Sequence, residues 1–594
     1  MKKLLTLAIV LLAGILYAEA GQVNEQEARQ KAMTFMTKSA KARGTTSLSR
    51  VFAPLKTASA MESVNDAPLY IFNLDGGGYV IVSGDDRTSE ILGFSENGHI
   101  NPDRMPLNMK NWLDGYVRKI QQLPAHVMPQ QQIAGTRAAK ADLSPKLNTA
   151  WGQDWPYNLH TPELNVVWKD KEKTVHAATG CAATSMAQML NYYRYPNATL
   201  IGADSYTGTA DVPVEDQATG EKDNVQVDWA TENIPAGAVI DWANITDRYD
   251  KNSTDAQIEA VSRLMQYCGS SVNMEYGWES SAGNDDVVYG LYDTFGYKDV
   301  YLLHQSNYDA QGWVDAMYHV ISQEGPVIFA AEAKVSGGHM FILDGYRNVD
   351  GGDYFYANWG WDGEDDGYML LDVMSPGWVF DDNGNEVGFT ESQFAIPGMG
   401  PEGVGVTSID KNLYCEELAF GEEGKVYERR RQSDGFSVEY VFWYYNYDHP
   451  HTSYQMGIGI FQNNSLVDGF SLTDRSGMDI PLFVGWGAEW ERGSDLLPIG
   501  NGLDDGVYQI KLICSVADAD AWKVCRFGDE RAVTMTINGN TAFFGDAPSA
   551  ITPVAKDLRK DADTGWHTLS GITLNGAPSA KGIYIHNGRK VVIK

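Results

Sequence analysis

The 594-residue chain has only five cysteines, Cys181, Cys268, Cys415, Cys514 and Cys525. An exported scaffold stapled by disulfides needs a denser set, so that class is excluded. The number is odd, so at least one thiol stays free unless it pairs between chains. Sequence leaves open whether Cys514 and Cys525 bridge or lie buried in strands. Basic residues are scarce too, with 46 Lys and Arg against 78 Asp and Glu, a net charge of −32 and a sequence pI near 4.6. That balance argues against a nucleic acid or an anionic membrane surface as partner. No uncharged apolar run reaches the roughly 20 residues of a membrane-spanning helix. The run Leu4 to Tyr17 follows Met1-Lys2-Lys3 and precedes Ala18-Glu19-Ala20, which predicts a signal peptide over residues 1–20 and a secreted or cell-surface product. H-E-x-x-H, P-loop and G-x-S-x-G motifs are absent, so metallopeptidase, nucleotide and serine-hydrolase chemistry lack their residues. No cofactor and no metal is expected.

What is present is globular. Apolar residues make up 43% and charged residues 21%, and 60 Gly with 16 Trp, 31 Tyr and 20 Phe suit strands with tight turns. At about 150 residues per domain the length calls for roughly four compact units. Residues 21–140 open with a helix, Asn24 to Lys41, and then read as short strands, clearest at Leu69 to Asn73 and Gly78 to Ser83. The polar, basic stretch Pro129 to Pro145, with Arg137 and Lys140, reads as a linker. Residues 141–398 alternate helices (Cys181 to Tyr195, Asp255 to Tyr267, Gln311 to Gln323) with strands (Pro326 to Ala331, Met340 to Leu343, Tyr354 to Asn358), an α+β pattern. Gly398 to Gly403 reads as a second linker. Over 404–545 the period shifts to two, with turn signals at Asp505-Gly506 and Asn538-Gly539, which predicts an all-β, immunoglobulin-like sandwich. Residues 550–594 close with an Asn587-Gly588 hairpin.

The chemistry centres on Thr179-Gly180-Cys181-Ala182-Ala183-Thr184. Ala183, Met186, Leu190 and Tyr193 share one helix face and Pro196 ends the helix, so Cys181 stands at a helix N-terminus, where free N–H groups and the dipole favour a thiolate. A base must come from elsewhere. Gly337-Gly338-His339-Met340-Phe341-Ile342-Leu343-Asp344-Gly345-Tyr346 puts His339 at the head of an apolar strand, behind two glycines that let substrate backbone approach. Asn358, at the end of the next strand, offers an amide to orient the imidazole, and Trp359 an indole to shield it. Gln153, after Trp151-Gly152, offers an oxyanion donor beside the Cys181 N–H.

These motifs, with Asn358-Trp359-Gly360-Trp361, resemble the streptopain family of papain-like cysteine peptidases, family C10. Tyr70-Ile71-Phe72-Asn73 and Gly78 to Asp86 resemble that family's inhibitory propeptide. The resemblance implies a papain-like, two-subdomain α+β enzyme at 141–398, made as a secreted zymogen with residues 21–140 as intramolecular inhibitor. It implies protein or peptide substrates, with an apolar residue at P2. On it Cys181 is the nucleophile, His339 the base, Gln153 an oxyanion donor, and Asn358 with Trp359 the imidazole's support; Gly337 and Gly338 line the substrate. Ala182 stands where papain itself carries an aromatic residue, which weakens transfer of its pocket details. Lys581 to Val592 resembles the C-terminal sorting tails of the Bacteroidetes type IX export route, which implies a sorting module at 550–594.

Two other functions compete. One is a surface binding protein using exposed aromatics such as Trp443, Trp486 and Trp490; the other is a Cys-His acyl transferase, whose third member is usually Asp where Asn358 stands here. The acidic run Asp362, Glu364, Asp365, Asp366 lacks EF-hand spacing and reads as a solvated loop. His449 and His451 are two imidazoles where a zinc site needs three or four ligands.

Overall fold

The computed structural model describes residues 21–38, 47–51, 67–121, 123, 140–372, 392–397, 411–545 and four short strands beyond 565. Gaps within those ranges fall at 170, 197–199, 217–218, 309, 334–336, 423, 448–449, 451, 474–475, 483–495 and 518–520. The expected signal peptide, Arg137, the 398–403 linker, His449, His451, Trp486 and Trp490 lie outside the described residues.

The N-terminal block contains helix α1 (Glu25–Lys38), strands β1 (Leu48–Val51), β2 (Leu69–Leu74), β3 (Tyr79–Ser83) and β4 (Ile91–Ser95), and helix α2 (Leu107–Gln121). The sequence reading gives only strands after α1, whereas α2 is a four-turn helix. Its cause is plain in hindsight: Met109, Trp112, Leu113, Tyr116, Val117 and Ile120 recur at three- and four-residue spacing and are all buried. Six buried side chains outweigh the roughly 1 kcal/mol that the interior Gly115 costs relative to Ala.

The second block carries hairpin β5 (Glu163–Trp168) with β6 (Lys171–His176), helix α3 (Cys181–Tyr193) and hairpin β7 (Thr207–Glu215) with β8 (Lys222–Ala230). Helices α4 (Asp255–Ser271) and α5 (Asn284–Tyr289), strand β9 (Leu303–His304) and helix α6 (Ala310–Gln323) follow. Then come β10 (Val327–Ala333), β11 (Gly337–Val349), β12 (Gly352–Asn358), β13 (Gly367–Leu370) and β14 (Ser392–Ile396). One ten-stranded antiparallel sheet joins both blocks in the order β1-β2-β3-β4-β13-β12-β11-β10-β14-β9. The junction sets Tyr368 against Phe94 and Met369 against Gly93, where an added Cβ would meet the Met369 sulfur at 2.4 Å. The N-terminal block thus extends the second block's sheet by strand addition, and main-chain hydrogen bonds supply the docking.

The alternation of strand side chains separates two cores. Phe329, Ala331, Phe341 and Leu343 join α1, α2 and the N-terminal strands on one face. Ile328, Ala330, Met340 and Ile342 join α3 and α4 on the other. This is the two-subdomain α+β plan expected, with an α+β N-terminal block and all-β segments after it.

The chain forms two compact units, one of residues 1–419, 441–490 and 510–532, the other of 420–440, 491–509 and 533–594. In the first, Thr452–Gln462 pairs with Ser465–Ser471 and Met478–Ile480. Cys415, Cys514 and Cys525 are buried there as thiols without a disulfide, and Cys514 donates to Asn412 Oδ1 at 2.9 Å. In the second, Tyr427–Glu428 pairs with Thr541–Phe544, which returns on Val533–Asn538; Arg429 beneath them donates to the carbonyls of Gly500, Leu503 and Gly539. The last four strands run in the order Thr573–Leu574, Trp566–Thr568, Gly582–His586, Arg589–Ile593. No helix among the described residues is long and apolar enough to cross a membrane.

Candidate active site

Cys181 is the first residue of α3, after a glycine that no other residue replaces without strain. Gly180 has φ 86°, and a Cβ there would lie 2.9 Å from the Met274 sulfur. Thr184 secures the entry by donating its hydroxyl to Gly180 O at 3.0 Å. Cys181 is half-buried, and its Sγ accepts the Met340 N–H at 3.4 Å. Burial pushes the thiol's pKa up, against the lowering effect of the N–H groups of Met340, Ala182 and Cys181 itself.

Met340 follows His339 directly, so the hydrogen bond that binds Cys181 to β11 puts the candidate base on the adjacent residue. His339 faces Ala331 across β10, on the same side of the sheet as Phe341, and α2 covers that side. Its Nε2 is taken by the amide nitrogen of Asn111 on α2. Burial lowers the imidazole's pKa. The thiol and the imidazole are therefore both driven towards their neutral forms, and no hydrogen bond joins them.

The remaining expected residues have these partners. Asn358 is buried, and both polar atoms of its amide are engaged: Nδ2 donates to Thr149 O at 3.0 Å, while Oδ1 accepts from Gly360 N at 3.1 Å and Gln188 Nε2 at 3.3 Å. It does not reach the imidazole. Trp359 is also buried, with its ring centroid 4.6 Å from that of Phe341. Gln153 is buried, and its main-chain carbonyl accepts the N–H of Thr179, two residues before Cys181, at 3.0 Å. Gly338, exposed, and Gly337 continue β11 ahead of His339, opposite Glu332 and Ala333.

The acidic run expected to be a solvated loop instead supports Trp359. Asp366 accepts the Trp359 N–H at 2.9 Å, and Asp365 O accepts its indole N–H at 3.1 Å. Burial pushes the Asp366 carboxyl up to about 8 and Asp365 up to about 7. The N-terminal block holds the same loop, through Tyr79 donating to Asp365 O at 2.7 Å and an Arg104–Glu364 ion pair. Among the described residues no group of three or more His, Cys, Asp or Glu is placed to hold a metal ion.

Two family models match the chain: the Peptidase C10 family over residues 151–369 and the Spi protease inhibitor over 20–120. Streptopain of Streptococcus pyogenes is 33% identical over 408 residues, covering 67% of this chain and 97% of streptopain. The chain belongs to the peptidase C10 family. It is a cysteine-type endopeptidase with an N-terminal inhibitor domain. The thiol protease/hemagglutinin PrtT of Porphyromonas gingivalis is 27% identical over 411 residues, 67% of this C10 peptidase and 44% of PrtT. Among solved structures, a fragment of Prevotella intermedia prointerpain A is 28% identical at a TM-score of 0.44, covering 60% of this chain and 100% of the fragment. Active interpain A is 31% identical at a TM-score of 0.32, covering 44% and 96%.

Sequence reasoning missed the inhibitor's own contact residues. Besides Asn111, Asn108 donates its amide to Trp359 O at 2.5 Å, Tyr116 donates to Leu370 O, and Lys119 pairs with Asp372. The periodicity of α2 could have exposed them, since Asn108, Asn111 and Lys119 are polar residues interleaved with its apolar stripe.

Proposed function

We propose that this C10 peptidase is a secreted zymogen whose mature enzyme hydrolyses peptide bonds with Cys181 as nucleophile and His339 as general base. The observation that carries the reading is the adjacency of the two through the Met340 N–H···Sγ contact, with the inhibitor's Asn111 occupying His339 Nε2. Once Asn111 leaves, the imidazole is free to take the thiol proton. The thiolate attacks the substrate carbonyl, the Cys181 N–H and the Gln153 amide receive the oxyanion, and the imidazolium protonates the leaving amine. Water then attacks the thioester, His339 takes its proton, and Cys181 is released.

Alkylation kinetics test this. In the full chain, the rate of Cys181 carboxymethylation should rise only above the ordinary thiol range, because burial raises the thiol's pKa and no imidazolium offsets it. After removal of the N-terminal inhibitor block, the rate should persist well into the acid range, because an imidazolium then stabilises the thiolate. Identical profiles before and after maturation would refute the blocked-base account.

We place the maturation cut upstream of Lys140. Lys140 donates to Asp315 Oδ1 at 2.5 Å, and Leu143 and Tyr346 exchange two backbone hydrogen bonds of 2.8 Å. A protease needs extended, unpaired backbone, which this stretch does not offer. N-terminal sequencing should therefore find the mature start at or before Lys140, with Arg137 as the preferred cut; a start beyond Leu143 would contradict the assignment.

The segment 550–594 we assign to export. Truncation after Ala547 should leave peptidase activity intact in a foreign host and strand the enzyme in the periplasm of its own cell. Normal export of the truncated chain would overturn this.

A further inference from the structure

The C10 family model matches the chain as far as residue 369, yet the apolar core of that block draws on residues well beyond it. Tyr414, Tyr447 and Leu482 are buried in the same cluster as Met186 and Leu190 of α3 and Leu264 of α4. A contiguous apolar cluster usually marks the core of one domain. By that measure the enzyme domain does not end at 398.

The contact is made at the edge of the sheet. β9 is the last strand of the ten-stranded order, and a bare edge strand presents unpaired N–H and C=O groups to any passing chain. Leu302, directly before β9, donates its N–H to Tyr447 O at 2.9 Å. The Tyr447 ring stacks on His304 of β9 at 5.4 Å, and His304 in turn lies 4.4 Å from the Phe394 ring of β14. Tyr414 meets Tyr447 edge-on at 5.0 Å. Burial pushes the His304 imidazole down to about 4, so this ring stack carries no charge at neutral pH. A second fastening lies on α5, where the Tyr289 hydroxyl accepts the Leu482 N–H at 3.0 Å. Both fastenings lead back to the candidate active site. β14 pairs with β10, and β10 with β11, which carries His339. Helix α5 follows the loop in which Ser280 Oγ donates at 2.8 Å to the carbonyl of Ala178, three residues before Cys181.

We propose that the chain beyond 411 is a constitutive part of the catalytic unit, docked through Tyr414, Tyr447 and Leu482 on a surface made by Tyr289, Leu302, His304 and Phe394. It stays bound in the mature enzyme even when the connection at 398–410 is cut, and it holds the elements that carry Cys181 and His339. A block ending at 398 would leave β9 uncovered and its core short of three buried side chains. A merely tethered binding module would behave differently, since its release would leave the enzyme unchanged. Association is measured here without catalysis, so this inference can fail or stand independently of the peptidase reading.

The test uses the full chain silenced by Cys181→Ala, with a recognition sequence for an added site-specific protease placed between Gly403 and Val404. After the cut, gel filtration over a dilution series should show the two pieces eluting together at the native size at micromolar concentration, with the inhibitor block present or removed. Tyr447→Ala should raise the concentration at which they separate by about 30-fold, the effect of losing a buried aromatic anchor. Tyr447→Phe keeps the ring and the main-chain acceptor and should restore most of the affinity. Tyr289→Phe removes only the acceptor of the Leu482 N–H and should raise the separation point about tenfold. In the unsilenced chain cut at the same place, dilution past that point should lower kcat for a peptide substrate. Pieces of native sequence that separate at micromolar concentration overturn the proposal. So do alanine and phenylalanine variants that all bind as the native pieces do, or a kcat unchanged after separation.

Discussion

Replacing Cys181 by Ala should lower kcat/KM for a peptide substrate by on the order of 10⁶-fold and leave the purified chain at zymogen length. The size follows from the chemistry, since without the sulfur no acyl-enzyme forms and no other side chain at this helix N-terminus can accept the acyl group. Cys268 offers no substitute: it is fully buried within α4, and burial drives its thiol far above the ordinary range. His339→Ala should fall within about tenfold of the same loss, because residues that act as a unit are strongly non-additive. Casein hydrolysis measures both. A Cys181→Ala enzyme that still clears casein at the native rate would remove Cys181 from the mechanism.

Much of this site was legible because its signals are local. Gly180 and Cys181 stand where an apolar helical stripe begins, and β11 is announced by Met340 to Leu343. The strand itself runs from Gly337 to Val349, longer than its apolar run suggested, because it continues past an irregularity between Leu343 and Gly345. Asp344, the residue at that irregularity, turns its carboxylate to the N–H groups of Lys146 and Leu147 at 2.8 and 2.7 Å. Such a contact joins residues almost 200 apart, and no window of sequence contains it.

Asn358 shows the other limit. Its place after an apolar strand marks a buried amide, but sequence does not say which groups that amide serves. Thr149, Gln188 and Gly360 hold it here. Only tertiary packing, which brings the N-terminal end of the enzyme block against α3, decides the matter. The continuous sheet across inhibitor and enzyme was equally invisible: the sequence reading names no strand at β4 or β13, and their pairing spans more than 270 residues.

Lys119→Met should weaken the inhibitor's hold on the enzyme by at least about 10²-fold. Lys119 on α2 and Asp372 after β13 form an ion pair with side chains only 4% and 6% exposed. Methionine nearly matches lysine in length, so packing is kept while the ammonium is lost. Asp372 then stays 6% exposed beside α2 with that cation gone, and release of α2 is expected to open it to water, so the cost should fall on the bound state. Breaking a buried pair from one side costs about 3–5 kcal/mol, and each 1.4 kcal/mol is tenfold in affinity. The measurement uses the full chain silenced by Cys181→Ala, cut in the linker by an added protease, with inhibitor release followed by gel filtration over a dilution series. The double variant Lys119→Met with Asp372→Leu should recover most of the lost affinity, since an apolar pair replaces the buried charges without leaving either uncompensated. If the single variant binds as tightly as its parent, the pair carries no part of the latency, and the strand addition at β4 and the Asn111 contact must hold the zymogen closed without it.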